Sequence, residues 1–179
     1  MRWSKLKEQI ESRMCNSLKG RVSFNSTRYR GAHDQVGRAW ITIDHEIIHD
    51  FCSVKRMYRY NTLAYEIRME TNSLDWKDPD QQKAYYQAYN QADDEMKRQG
   101  IHNQYEFYNA IEEYLNLSIE DAMNSTNPII RAISCFDGRL GKRRLLNIKE
   151  DESESIIFNK FIEIRFKAEG LVREEGNSA

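Results

Sequence analysis

The chain has 179 residues, 40% of them hydrophobic and 31% charged, with 27 Lys and Arg against 28 Asp and Glu. Its longest stretch without a charged side chain is nine residues, and a membrane span needs roughly 17 to 25 mainly apolar ones, so no membrane crossing is expected. Glu8 and Glu11 interrupt the place where the apolar part of an export signal would follow Arg2, Lys5 and Lys7. Cys15, Cys52 and Cys135 are odd in number and form no Cys-x-x-Cys pair, which argues against a disulfide framework and for a cytoplasmic protein.

Trp3, Leu6, Ile10, Met14 and Leu18 recur at steps of three and four, the spacing of one apolar helix face, and Gly20 follows as a stop. From Val22 the period becomes two: Val22, Phe24, Ser26 and Arg28 alternate with their neighbours, Gly31 to Gly37 reads as a loop, and Arg38 to Asp44 repeats the alternation with Ala39, Ile41 and Ile43 on one face. Ile47, His49 and Phe51 alternate with Ile48, Asp50 and Cys52, so a tight turn at Asp44-His45-Glu46 and a third strand are expected before a helix that Ser53 caps. That helix has Met57, Tyr60, Ala64 and Ile67 as its expected inner face.

Asp78-Pro79-Asp80-Gln81 is a strong start signal, because a capping Asp precedes a proline at the first helical position and Gln81 is placed to reach back. Tyr85, Tyr89, Ala92 and Met96 are the expected buried stripe, closed by Gly100. Asn103 with Glu106 forms a capping box ahead of Phe107, Ile111, Tyr114 and Leu115, and Ser118 with Asp121 starts a short helix. Asn127-Pro128 starts another, with Ile129, Ile130, Ile133 and Phe136 inward. Ile157, Phe161, Ile164 and Ala168 form a last stripe before Gly170. The whole is an α+β chain: an N-terminal helix, a small antiparallel three-stranded meander, then a mostly helical remainder. Residues 1–170 are expected to form one domain and 171–179 a flexible tail.

His45-Glu46-Ile47-Ile48-His49 fits the His-Glu-x-x-His pattern. In that pattern two histidines one helical turn apart bind zinc and the glutamate is general base on the metal-bound water. The full metallohydrolase reading takes His45 and His49 as ligands, Glu46 as base, and Glu70, Glu66 or Cys52 as further ligands. It requires a helix: on a strand, positions four apart stand about 13 Å from each other at ~3.3 Å per residue, too far for one ion. The alternation through this segment favours the strand. The leading expectation is therefore no cofactor and no catalytic set, with zinc hydrolysis an alternative.

Charge is uneven, since residues 1–30 carry eight Lys and Arg against Glu8 and Glu11. Lys5, Lys7 and Arg13 on the first helix, with Arg139, Lys142, Arg143 and Arg144, form a candidate nucleic-acid surface, and Tyr29, Trp40, Tyr58 and Tyr60 offer stacking faces. The competing reading pairs Lys142 to Arg144 with the acidic run at Glu150 to Glu154. Gly138, Gly141 and the basic run lack the spacing of a phosphate-binding loop. Tyrosines crowd two successive helices, and Tyr86 and Tyr108, lying off the inward stripes, are the candidate partner-binding residues. Cys52 and Cys135 read as core cysteines.

Gly37 to Asp44, Asn116 to Ala122, Asn127 to Ala132, Gly141 to Leu145, Phe161 and Glu169-Gly170 together resemble a family of small bacterial proteins with no assigned function. The resemblance spans most of the chain, which implies a single domain and an Asp-Gly type of turn where this sequence has Asp44-His45. It brings no catalytic residue. The function expected is that of a non-enzymatic cytoplasmic interaction protein with another protein as its partner, with nucleic-acid association as the first alternative.

Overall fold

A computed structural model describes residues 2–29, 31, 36–148 and 155–171. The loop residues 32–35, the acidic run 150–154 and the tail residues 172–179 lie outside the described residues. The order is α1 (Trp3–Ser12), β1 (Val22–Arg28), β2 (Gly37–Ile43), β3 (Glu46–Cys52), α2 (Ser53–Glu70), α3 (Pro79–Arg98), α4 (Gln104–Tyr114), α5 (Ile119–Met123), α6 (Pro128–Ser134), α7 (Lys142–Leu146) and α8 (Ile156–Glu169). The three strands form one antiparallel sheet in the order β1-β2-β3, so the fold is α+β with a helical remainder.

The first helix is shorter than its apolar spacing suggests. It stops at Ser12 because the backbone beyond it is claimed by a distant segment: the Cys15 amide donates to the Phe136 carbonyl at 2.8 Å, and the Gly138 amide to that of Arg13 at 2.8 Å. Met14 and Leu18 are buried all the same, carried inward by this pairing and by a turn rather than by helical periodicity. Tertiary hydrogen bonding here overrides a sequence pattern that would otherwise have continued the helix.

β1 and β2 pair in register from Val22 opposite Ile43 to Arg28 opposite Gly37. Between β2 and β3 the two-residue turn holds Asp44 and His45 at φ 49° and 72°, the both-positive geometry that matches strand twist. Arg21 clasps the Asp44 carboxylate at 2.6 Å. The β2–β3 register shifts by one between Ile41 opposite His49 and Thr42 opposite Ile47, so Ile48 is an extra residue, a bulge. The bulge reverses the parity of the strand. Phe51 is wholly buried whereas Ile47, which simple alternation puts on the same side, is half exposed.

Gly37 is required by close approach. The Gln104 side chain, itself buried, donates to Ser26 Oγ, the Thr27 carbonyl and the Arg38 carbonyl at 2.7, 2.8 and 3.1 Å. A Cβ at residue 37 would collide with that amide and with the Thr27 carbonyl.

The sheet, α1, α4, α6 and α8 enclose a core of large side chains: Phe24, Phe51, Phe107, Tyr114, Phe136 and Phe161 are fully buried. Phe136 and Phe161 stack at 4.6 Å, and Phe51 and Phe107 meet at 4.4 Å. The starts of α3, α4, α5, α6 and α8 have side-chain caps from Asp78, Asn103, Ser118, Asn127 and Ser155. At the end of α8 the left-handed Gly170 lets the Leu171 amide reach the Phe166 carbonyl at 3.0 Å. Leu171, expected to belong to the tail, packs against the core.

The hairpin of α2 and α3 is built differently. Its inner face is small, with Ala64, Ala88, Ala92 and Met96 buried. The Arg68 guanidinium is inserted between the helices, 4.6 Å above the Tyr85 ring and 4.8 Å above that of Tyr89. Arg68 thus replaces Met57, which is 58% exposed, on the expected inner face of α2. Ser53 is the first helical residue rather than the cap, and α2 starts with no side-chain cap and no acid in its first turn.

Candidate functional site

The two histidines of the His-Glu-x-x-His motif are separated by the fold. His45 sits in the exposed β2–β3 turn and His49 on β3, so they are not a helical pair converging on one ion. Glu70 is at the far end of α2. Cys52 is buried with its sulfur 3.3 Å from the Tyr29 hydroxyl. Among the described residues no group of three or more His, Cys, Asp and Glu side chains is placed to hold a metal.

His49 instead faces a cleft of about 470 Å³ between the end of β3, the first turns of α2, the Gln99–His102 link and Lys160 of α8. His102 is on its wall and is only 4% exposed. Both imidazoles stand against Phe51, with ring centroids at 4.6 Å for His49 and 6.5 Å for His102. Neither Nε2 atom has a hydrogen-bond partner. Burial, with Lys160 next for His49 and with His49, Arg56 and Lys97 for His102, pushes each pKa down to about 4. Both rings are therefore neutral at pH 7. Gly100, at φ 68°, makes the link tight enough to bring His102 back beside His49.

Four cationic side chains line the same cleft, Lys55, Arg56, Arg59 and Lys160, against Asp50. Lys55 reaches Asp50 at 3.1 Å, Arg56 reaches Asp93 at 2.6 Å and Glu106 at 3.2 Å, and Arg59 reaches Glu66 at 3.4 Å. Lys160 is exposed on the rim, and among the described residues no acid pairs with it. Of these groups sequence analysis singled out only His49, Cys52 and, as part of the motif, its neighbours. No spacing rule connects His49 to His102 or to Lys160, because the hairpin's whole length of chain intervenes.

The cations proposed for nucleic acid are mostly engaged. Lys7 donates to Ser23 at 2.9 Å and lies 3.5 Å from Glu11. Arg13 donates to the Tyr114 and Leu115 carbonyls at 3.2 and 2.6 Å. Lys142 pairs with Glu169 at 3.1 Å and Arg144 with Glu120 at 2.9 Å. Arg139 belongs to a polar cluster inside the core: the fully buried Asp137 accepts from the Tyr114 hydroxyl, from the Arg139 amide at 2.7 Å and from its guanidinium at 2.7 and 2.9 Å. Arg165 extends the cluster by donating to the Asp137 and Leu140 carbonyls at 3.2 Å each and by pairing with Glu169 at 3.1 Å. These contacts pin the α6–α7 connection to α4 and α8, a structural use of the basic residues. Lys5 and Arg143 are exposed.

The two tyrosines singled out for partner binding part company. Tyr108 is half-buried, its hydroxyl 2.6 Å from Ser26 Oγ and its ring edge-on to Trp3 at 5.1 Å, so it is a packing residue. Tyr86 is exposed and lines an open groove with Trp76, Tyr85, Tyr89 and Asn90. Of 13 large hydrophobic side chains exposed among the described residues, Val54, Met57, Tyr58, Tyr65, Met69, Leu74, Trp76 and Tyr86 lie on α2, α3 or the turn between them. Val54, Tyr58, Tyr65 and Met69 fall within about 60° of one another around α2 at ~100° per residue, so they share one face of the helix, with Asn61 and Thr62 between the two pairs. Tyr58, at 73% exposure, is the most prominent of the four.

The architecture defines an α+β protein with a sheet-centred body and a two-helix projection. The chain belongs to the SF0329 protein family, whose model matches residues 2–166 and so covers the body and the hairpin together. No curated protein and no solved structure matches the chain. No helix among the described residues is long and apolar enough to cross a membrane.

Proposed function

We propose that the protein is a non-enzymatic interaction protein of the bacterial cytoplasm, and that it presents the α2–α3 hairpin to an apolar segment of another protein. The observation that carries this reading is the concentration of exposed aromatic and aliphatic side chains on the hairpin. Contiguous apolar surface rimmed by charge is a feature of association sites, and Tyr and Trp are the residue types that most often dominate binding energy. The groove beside Tyr86, floored by aromatic rings, suits one inserted apolar side chain of a partner, and Lys55, Arg59, Glu66 and Glu70 along α2 supply a polar rim.

The test is a native capture with tagged protein, split into nuclease-treated and untreated halves, beside a Tyr58→Ser/Tyr65→Ser/Tyr86→Ser variant. A stoichiometric protein that survives nuclease and is lost with the variant is the expected result. Recovery of RNA or DNA whose removal also removes every protein would overturn the reading in favour of nucleic-acid association, and a protein partner retained equally by the variant would overturn the assignment of the hairpin as its docking surface.

A further inference from the structure

We infer that the cleft between β3, the start of α2, the Gln99–His102 link and α8 is a binding site for a small organic oxyanion, a carboxylate or phosphate monoester attached to an apolar body. Three independent features of its walls agree on this. First, His102 is buried with an unpartnered Nε2 in the wall of the cleft, and His49 presents a second one beside it. Leaving a buried polar atom without a partner costs about 1–3 kcal/mol, so two in one wall mark a place where a ligand completes the hydrogen bonding.

Second, the sign of the charge selects the ligand. Two imidazoles could equally serve a metal ion, but no third ligand side chain accompanies them among the described residues. Of the charged walls, Lys55, Arg56 and Arg59 are already paired with Asp50, with Asp93 and Glu106, and with Glu66, which leaves Lys160 as the cation that no acid among the described residues neutralises, and it is this charge that favours an anion over a cation in the cleft. The start of α2, whose first turns border the cleft, has no side-chain cap and no acid in its first turn, so the positive end of its dipole is not offset there. Third, Ile47, Ile48 and Ile101 form an apolar wall, which has no use for an inorganic ion and fits a hydrocarbon or ring portion. The oxyanion would take hydrogen bonds from the imidazoles and Lys160 while the apolar body lies along the isoleucines.

Histidine Cε1 signals in a carbon–proton correlation spectrum, recorded with phenyl phosphate, benzoate or phenol added to the intact protein, test this. The chain has four histidines, and His45 in the exposed turn is an internal control. We expect saturable shifts of His49 and His102 with at least one of the two anions, none with phenol, and binding weakened about tenfold or more by Lys160→Glu, an exposed substitution that leaves the melting temperature unchanged. A response to benzoate alone assigns a carboxylate and a response to phenyl phosphate alone a phosphate ester. No saturable shift with either anion, equal shifts with phenol, or undiminished binding by the Lys160→Glu protein would overturn the inference.

Discussion

The sheet-centred body and the α2–α3 hairpin solve the same packing problem in opposite ways. The body puts most of its aromatic side chains inside, seven of them Phe or Tyr in full burial, including Phe158. The hairpin puts alanines inside and tyrosines outside, and holds its two helices together with an arginine laid across two rings. Burial of apolar area contributes ~25 cal/mol per Å², so the body is where cohesion comes from. The hairpin gives up that stabilisation for surface. In the proposed function, the apolar groups that the hairpin exposes are the ones a partner would cover.

The contrast can be broken most forcefully in the body. Phe161→Ala removes a fully buried ring stacked on Phe136, and a loss of ~3–5 kcal/mol in urea unfolding is expected; a loss below ~1 kcal/mol would mean that the body is no better packed than the hairpin. Next in size is the effect of acid on the seam between the two regions. His49 and His102 have folded-state pKa values of about 4 against ~6.5 when unfolded, so the folded state holds fewer protons between those values. Their contribution is fully present above pH ~6.5 and is lost as the pH falls towards ~4, by up to ~3 kcal/mol per histidine. The groups facing them are Lys160 from α8, Asp50 from β3, Arg56 from α2, Asp93 and Lys97 from α3, and Glu106 from α4. Urea midpoints that do not change between pH 7.5 and pH 5 would remove this account.

Smaller effects sharpen the picture. His45→Gly relieves a non-glycine residue at φ 72° and is expected to raise stability by about 1 kcal/mol, measured as a higher unfolding midpoint. It leaves His49 and the cleft untouched, whereas a metal site using His45 would lose its ion. The smallest expected change is in the hairpin stripe: Tyr58→Ser, Tyr65→Ser and Tyr86→Ser should each shift stability by no more than ~0.5 kcal/mol, since their side chains are exposed. Partner capture, by contrast, should disappear. A large stability loss from these three would show that the stripe is part of the protein's own packing.

Much of the architecture was legible because local signals and tertiary outcome agree. Asp78-Pro79, the Asn103–Glu106 capping box and Asn127-Pro128 start their helices where expected, each through a hydrogen bond between neighbours in sequence. The exceptions all involve distant partners. Nothing in Arg13 or Cys15 reveals that Gly138 and Phe136 will take their backbone groups, and nothing in Ile47 reveals the bulge at Ile48 that turns it out. Arg68 reads as a surface residue of α2 until Tyr85 and Tyr89 are placed beside it. The candidate sites divide along the same line. The exposure of Tyr86 was legible from its position on a helix face, while the His49–His102 cleft was not, because it is assembled from β3, α2, the α3–α4 link and α8.

The pairing of Met14 and Cys15 with Phe136 and Asp137 also bears on how the chain is made. On a ribosome the N-terminal segment emerges more than a hundred residues before its backbone partners, and the Glu169 that accepts from Ser17 comes later still. Every contact within the hairpin, by comparison, is complete once Arg98 is out. Loop closure over long separations is entropically costly and slow, so local helical pairs form first. The body is consequently held open through most of synthesis, with the first helix and the sheet exposed, and it closes only when the last helix is delivered.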